Sequence, residues 1–335
     1  MTQRSILLRR IAAIGVLSTL LLAPLTATAA SKLPVGTPSQ IADALLASTT
    51  NTKLSSVAST QIRNAAGMKW DWPWVQYKNL NPLAGCSAPT GCTYGDAKAK
   101  KSIVLYGDSH AMMWLPAVAP WATANHYKVY LFWQPGCPIN NITDNYTFLG
   151  PTVSYNTSTP QRCDAWRPAA ISAIKALHPA LILVGERTSD IIVGSSGTTL
   201  FSQATWQAAL TATLANFTMA GTKVAMIQDI PYRAQTVPQC VAMYGIQRCA
   251  ITYPTTATFN GVSLVGQQAA EEAAAAATGA TFIPTIPWMC TSSTFICEPV
   301  IAGTITYWDQ SHVSATYSTW LSGVFGTAIN NILTP

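Results

Sequence analysis

From residue 100 onward, short apolar runs alternate with longer stretches of helical character. The runs are Ser102–Tyr106 (SIVLY), Lys128–Trp133 (KVYLFW), Ala180–Val184 (ALILV), Lys223–Ile227 (KVAMI) and Thr281–Ile286 (TFIPTI). Each is too short for a helix and apolar at successive positions, as a strand covered on both faces must be. Between them Ala111–Asn125, Pro160–Leu177, Ser202–Met219 and Leu264–Thr278 read as helices, and Ser314–Ile332 closes the chain as another. This alternation predicts an α/β fold, a five-stranded parallel sheet with helices on both faces. Right-handed crossovers bring the C-terminal ends of such strands to one edge, where open sheets bind ligands. Upstream, Ser39–Ala47 and Lys53–Ala66 read as short helices of a lead segment with little core of its own. Trp70, Trp72, Trp74 and Tyr77 follow, read as a strap over the main core or an aromatic surface for sugars or an interface. No internal repeat is visible.

The first thirty residues follow a different pattern. Arg4, Arg9 and Arg10 precede an apolar stretch from Ile11 to Ala23, then Pro24 and the small residues Ala27-Thr28-Ala29. This is the layout of a cleavable export signal, and the apolar stretch is short for a membrane span. No later segment is long and apolar enough to cross a bilayer. The signal also changes the charge. The formal +6 comes from 19 basic and 13 acidic residues, and removing three arginines leaves 16 basic, or +3. That is too little for an electrostatic nucleic-acid binder. With 49% hydrophobic and 10% charged residues, the chain can build a core and is not disordered.

The eight cysteines agree with export, since an even number in an exported chain reads as disulfides. Roughly a hundred pairings are open to eight cysteines. Spacing favours the neighbours Cys86–Cys92, Cys137–Cys163, Cys240–Cys249 and Cys290–Cys297. Zinc fits poorly, because there is no C-x-x-C pair and the histidines stand apart from the cysteines. The residues point to no cofactor.

Chemistry concentrates at two places. The first strand runs into Gly107-Asp108-Ser109-His110, which puts Ser109 on the turn into a helix, at the ligand edge. Gly107 permits a tight turn, and free backbone N–H groups would face a developing oxyanion. Just before the last helix lies Tyr307-Trp308-Asp309-Gln310-Ser311-His312. A serine becomes a nucleophile with a base, and the base needs an orienting carboxylate. His312 and Asp309 supply both. Of the other three histidines, His126 and His178 read as surface residues and His110 as a support for the site. Asp108, His110, Trp114 and Asp229 are candidates for the surrounding pocket, Asp229 alternatively as a loop cap. Asp164 reads as a helix cap, and Glu271-Glu272 as a solvated helix face.

Val104-Leu105-Tyr106-Gly107-Asp108-Ser109-His110-Ala111, with Trp114 and Pro116, together with Asp309-x-x-His312, resembles the SGNH (GDSL-like) hydrolases. The Cys86/Cys92 pair, Gly136-Cys137-Pro138, the Cys290/Cys297 pair and Tyr307-x-Asp309-x-x-His312-x-Ser314 are similar to the SGNH domain associated with acyltransferase-3 membrane O-acyltransferases. The resemblance covers roughly residues 80–335. Together with the export-signal pattern it divides the chain into signal (1–30), lead segment (31–80) and SGNH domain (81–335). It implies a three-layer α/β/α sandwich of flavodoxin-like topology, with Ser109 as nucleophile, His312 as base and Asp309 as its orienter. It also implies an oxyanion hole from the Ser109 N–H and Gly136. The wider family adds an Asn after the third strand, where this chain has Gly185-Glu186-Arg187-Thr188. Arg187 is the candidate there, with an ion pair to Glu186 or Asp190 as the alternative.

By that resemblance the chain is an exported serine esterase or O-acyltransferase, of O-acetyl type. Acylated carbohydrate or a cell-envelope glycan would be its substrate, and a separate membrane acyltransferase-3 protein its partner. It would work in the periplasmic, secreted or envelope space. The alternatives are a non-catalytic glycan-binding or scaffold module on the same fold, and a lipase for long acyl chains.

Overall fold

The computed structural model describes residues 35–69, 71–77, 86, 92–140, 159–188, 191–194, 197–200, 202–253 and 265–334. The expected export signal at 1–30 lies outside these residues, as do Trp70, Asp190 and the Trp74 side chain. No helix among the described residues is long and apolar enough to cross a membrane.

The centre is a six-stranded sheet built from β1 (Thr93–Gly95), β2 (Lys101–Gly107), β3 (Tyr127–Trp133), β4 (Leu181–Gly185), β5 (Lys223–Ile227) and β6 (Thr281–Ile283). The spatial order is β1-β3-β2-β4-β5-β6, and β2 to β6 are parallel throughout. The five expected strands are all present. The sixth, β1, runs antiparallel to β3 at the edge. Its three residues carry too little pattern to be read from sequence.

Successive side chains of a strand point to opposite faces, and the two faces here carry separate cores. Ile103 and Leu105 of β2, with Leu181 and Leu183 of β4, meet Trp114, Val118, Leu321 and Phe325 on one face. Val104, Tyr106, Ile182 and Val184 meet Trp166, Ile174, Trp206, Leu210 and Ala274 on the other. The helices Leu115–Ala124 and Ser322–Leu333 therefore cover one face, and Thr159–Leu177, Gln203–Ala215 and Val265–Thr278 the other. Burial on both sides explains why the strands read as unbroken apolar runs.

Several boundaries differ from expectation. The run Thr281–Ile286 is a strand only to Ile283; Pro284 offers no N–H for a ladder, and Ile286–Met289 turns into a short helix. The closing helix breaks at Leu321 into Ala315–Trp320 and Ser322–Leu333, with Ser314 as its N-cap. Asp164 is not a cap: it lies inside Thr159–Leu177 and pairs with the buried Arg167 one turn on. Trp114, expected in the pocket, is a core residue with ring centroids 5.5 Å from Phe325 and 6.1 Å from Trp288. A large apolar ring next to two others loses more by facing water than it gains at a site edge.

Residues 35–77 pack into the same compact unit as the rest. Ile41, Leu45, Ala58 and Trp72 are buried in the first core. Gln61 donates to Asp71 and accepts the Ile305 N–H at 2.8 Å. Asp71 accepts the backbone N–H groups of Ala315 and Thr316 through its carbonyl and carboxylate. The lead segment is thus tied to the chain immediately after His312. The four bridges are Cys86–Cys92, Cys137–Cys163, Cys240–Cys249 and Cys290–Cys297.

Gly107 ends β2 opposite Gly185 of β4. A Cβ at Gly107 would stand 1.7 Å from the Gly185 carbonyl oxygen and 2.7 Å from the Ala111 Cβ. Both obstacles are backbone or a short side chain, so neither can swing away. Gly107→Ala is therefore expected to cost about 3 kcal/mol or more by forced overpacking. Thermal unfolding would show a lowered Tm, and an unchanged Tm would contradict the packing described.

Candidate active site

Ser109 begins a helical turn, Ser109–Met112, at the C-terminal end of β2. Asp108 caps that turn: its Oδ1 accepts the His110 N–H at 2.8 Å and its Oδ2 the Arg187 N–H at 3.0 Å. Asp108 is buried and joins the ends of β2 and β4 rather than lining a pocket wall. Burial raises its carboxyl above the usual range, against the pull of His110.

His312 and Asp309 come from the loop before the last helices. The loop is pinched by a bridge between Tyr307 and Val313. Asp309 Oδ1 accepts the N–H groups of Ser311 (2.8 Å) and His312 (2.7 Å), an arrangement that fixes the Asp-x-x-His spacing. Asp309 Oδ2 lies 2.7 Å from His312 Nδ1, and His312 Nε2 lies 2.9 Å from Ser109 Oγ. An ionised carboxylate only accepts, so Nδ1 carries the proton and Nε2 presents its lone pair to the Ser109 hydroxyl. All three residues are half-buried. Burial opposes charge on Asp309, but His312 and two backbone N–H groups outweigh it and hold its carboxyl below the ordinary value. Burial lowers His312, Asp309 opposes this, and His110 and Arg187 add to the lowering.

The loop is held from outside as well. Gln310 O accepts from Arg233 N–H, and Asp309 O from Val237 N–H. Val313 N–H reaches the Met113 sulfur at 3.4 Å, tying the loop to the Ser109 helix. Trp72 packs on Trp308 and His312, with centroids 4.0 and 4.8 Å away. Which ring of the strap would touch the site was not legible from the pattern of residues.

Gly136 sits in the turn after β3, with φ +63°. The neighbouring Gln134 N–H donates to Gly107 O, so this turn flanks the end of β2. The Cys137–Cys163 bridge ties it to the helix Thr159–Leu177. Arg187 follows β4. Its backbone N–H is held by Asp108, and its guanidinium lies 5.7 Å from the Tyr232 ring centroid. Glu186 is buried and accepts the Ile139 N–H at 3.0 Å, bracing the Gly136 turn from below.

Asp229, at the end of β5, is buried and reaches His110 Nδ1 at 2.6 Å. Thr188 and Tyr232 also donate to it, and neither was singled out from sequence. Tyr232 stands three residues after Asp229, in the same segment beyond the end of β5, and that position was the available signal. Glu271 corrects an expectation. Glu272 is exposed, but Glu271 is fully buried on the inward face of Val265–Thr278. An Ala-rich helix masks its buried stripe, because alanine sits on either side equally well. Burial, and the nearby Asp229 charge, push its carboxyl well above the usual range.

Glu271 is therefore protonated in the fold where the unfolded chain is ionised. Its contribution is fully present below the ordinary carboxyl pKa and is lost as pH rises toward the raised one. Glu271→Gln, which keeps a neutral group, is expected to flatten that loss. Denaturant unfolding at about pH 4.5 and pH 8 would show a smaller fall for the variant; equal falls would contradict the buried acid.

The family described as "SGNH domain (fused to AT3 domains)" matches residues 78–327. Among solved structures, the chain is similar to the periplasmic domain of a lipopolysaccharide acetyltransferase from Salmonella ser. Paratyphi A. That match has a TM-score of 0.52 at 16% identity and covers 72% of this chain and 86% of that one. A putative acylhydrolase from Bacteroides fragilis matches at TM-score 0.39 and 14% identity, over 71% and 91% of the two chains. Est24, a carbohydrate acetylesterase from Sinorhizobium meliloti, matches at TM-score 0.39 and 13% identity, over 69% and 99%. No curated protein sequence matches the chain.

Proposed function

The chain belongs to the SGNH domain family, in the form found fused to AT3 domains, and from that membership we propose that it is an exported serine esterase or O-acyltransferase acting on O-acetylated cell-envelope carbohydrate. The observation that carries this reading is the continuous chain Asp309–His312–Ser109, with contacts of 2.7 and 2.9 Å. Binding alone gives no reason to align a carboxylate, an imidazole and a hydroxyl in this order.

Ser109 Oγ attacks the ester carbonyl carbon as His312 Nε2 takes its proton. The carbonyl oxygen becomes an oxyanion, received by the Ser109 N–H, the Gly136 turn and the Arg187 guanidinium. Since the Arg187 N–H is committed to Asp108, this role would fall to its side chain. The C–O bond to the leaving alcohol breaks, His312 returns the proton to that alcohol, and an acyl group remains on Ser109. Water or a sugar hydroxyl then gives its proton to His312 and takes the acyl group, and as the bond to Ser109 Oγ breaks His312 returns that proton to it. Hydrolysis and transfer differ only in this acceptor. The four disulfides suit an oxidising compartment, in keeping with export. The carbohydrate substrate, and a membrane acyltransferase-3 partner that would supply acyl groups, rest on family membership.

The test is hydrolysis of nitrophenyl acetate by the oxidised protein, beside Ser109→Ala, with and without a glycan acceptor. Turnover that vanishes in the variant is expected, and acetyl appearing on the glycan would identify the transferase. A folded wild type without turnover, whose glycan binding survives Ser109→Ala, would assign the binding module instead.

A further inference from the structure

A second histidine–aspartate pair lies against the first. His110 is buried, its ring centroid 4.6 Å from that of His312, and its Nδ1 is 2.6 Å from Asp229 Oδ1. Asp229 receives more than this one bond. Its Oδ1 also accepts the Ile230 N–H at 2.9 Å. Its Oδ2 accepts the Thr188 N–H at 3.0 Å, the Thr188 hydroxyl at 3.1 Å and the Tyr232 hydroxyl at 2.5 Å. With every lone-pair direction taken by a donor, the carboxylate has no place for a proton of its own. It is a buried anion, and a buried anion needs a cation in contact. His110 is the group placed to be that cation.

We propose that His110 and Asp229 form a buried ion pair whose positive member, set beside His312, keeps His312 in the neutral form that accepts a proton. His110 is then a positioning residue acting through His312, and Asp229 acts through His110. This rests on the reading of Asp309–His312–Ser109 as the catalytic chain. Neither residue is explained by that chain, which is complete without them.

The charged groups around the pair divide, the two aspartates favouring a charged His110 and Arg187 opposing it. Asp108 faces His110 from the same turn, Asp229 from the end of β5, Arg187 from the end of β4 and His312 from the loop before the last helices. Burial works against charge on His110, but the Asp229 and Asp108 carboxylates outweigh it and the Arg187 charge, raising His110 above the ordinary histidine value. Glu271 faces Asp229 from the helix Val265–Thr278, and burial and the Asp229 charge push its carboxyl well above the usual range, so it does not join the two aspartates as a further anion. Asp309 alone favours a charged His312; burial, His110 and Arg187 oppose it. His110 Nε2 has no hydrogen-bond partner among the described residues, so the imidazolium is balanced at Nδ1 only.

The experiment is an NMR pH titration of histidine-labelled, oxidised protein. The chain has four histidines, and the exposed His126 and His178 are assigned by single replacement with Gln. His110 is expected to stay protonated through neutral pH while His312 is neutral there. In His110→Gln the His312 midpoint is expected to rise by about one pH unit, the effect of one unit charge at this distance in a partly hydrated site, and in Asp229→Asn, which removes the anion together with the cation it holds, it is expected to rise by less. His126 and His178 serve as controls for folding. A neutral His110 in the wild type overturns the proposal without any variant, and so does a His312 midpoint unmoved in a folded variant. In kinetics, the acid limb of kcat/KM should move up with that midpoint and activity should recover at alkaline pH; a merely structural role would lower activity equally at every pH. Should Ser109→Ala retain wild-type turnover, the catalytic reading fails, while the titration still decides the ion pair.

Discussion

Ser109→Ala is expected to lower kcat for short-chain ester hydrolysis by about four orders of magnitude or more. His312→Ala should lose about as much, and the double variant no more than either. The groups act as one unit: without the base at 2.9 Å the hydroxyl is a weak nucleophile, and without the hydroxyl the base has nothing to activate. The residual rate is whatever oxyanion stabilisation and binding supply alone. Single and double variants assayed on nitrophenyl acetate decide this, and additive losses would mean that the groups do not work together. The pH dependence has a definite sign. His312 must be neutral to accept the proton, and its pKa is held below the ordinary 6.5. The acid limb of the wild type therefore lies below that value, and activity falls as pH drops through it.

Asp309→Asn is expected to cost about 10⁴-fold in kcat with little change in KM or Tm. Asparagine can still accept the Ser311 and His312 N–H groups through its carbonyl oxygen, so the loop keeps its shape. Its amide then faces His312 Nδ1 as a donor and turns that nitrogen into an acceptor. The proton moves to Nε2, which points at Ser109 Oγ and can no longer take its proton. A fall in kcat of less than tenfold, with the loop intact, would show that Asp309 does not set the tautomer. Loss of Tm would show that the substitution disturbs the loop instead.

The local signals were strong where one residue type has one physical use. Apolar runs buried on both faces defined β2 to β5 closely, since period and composition agree there. The same runs failed at Thr281–Ile286, where Pro284 ended the ladder early, and at β1, where three residues form no pattern. Ser109, Asp309 and His312 were legible because Gly107-Asp108-Ser109 and Asp309-x-x-His312 fall at topologically special points, the end of the first parallel strand and the start of the last helical segment. Trp114 was misread because a tryptophan near a motif looks the same in sequence whether it faces a ligand or Phe325.

The sequence by itself determined the layered α/β architecture, the neighbouring cysteine pairs it favoured, and the two short motifs, all of which depend on residues close together in the chain. Only the tertiary structure decided which distant groups meet. Ser109 and His312 are 203 residues apart, and His110 and Asp229 are 119 apart. Tyr232 and Thr188 converge on Asp229, Trp72 covers His312, and Glu271 turns inward among alanines that gave no stripe to follow. Periodicity says which face of an element is buried; it does not say which partner lies across the sheet edge, and the charge a buried group carries depends on that partner.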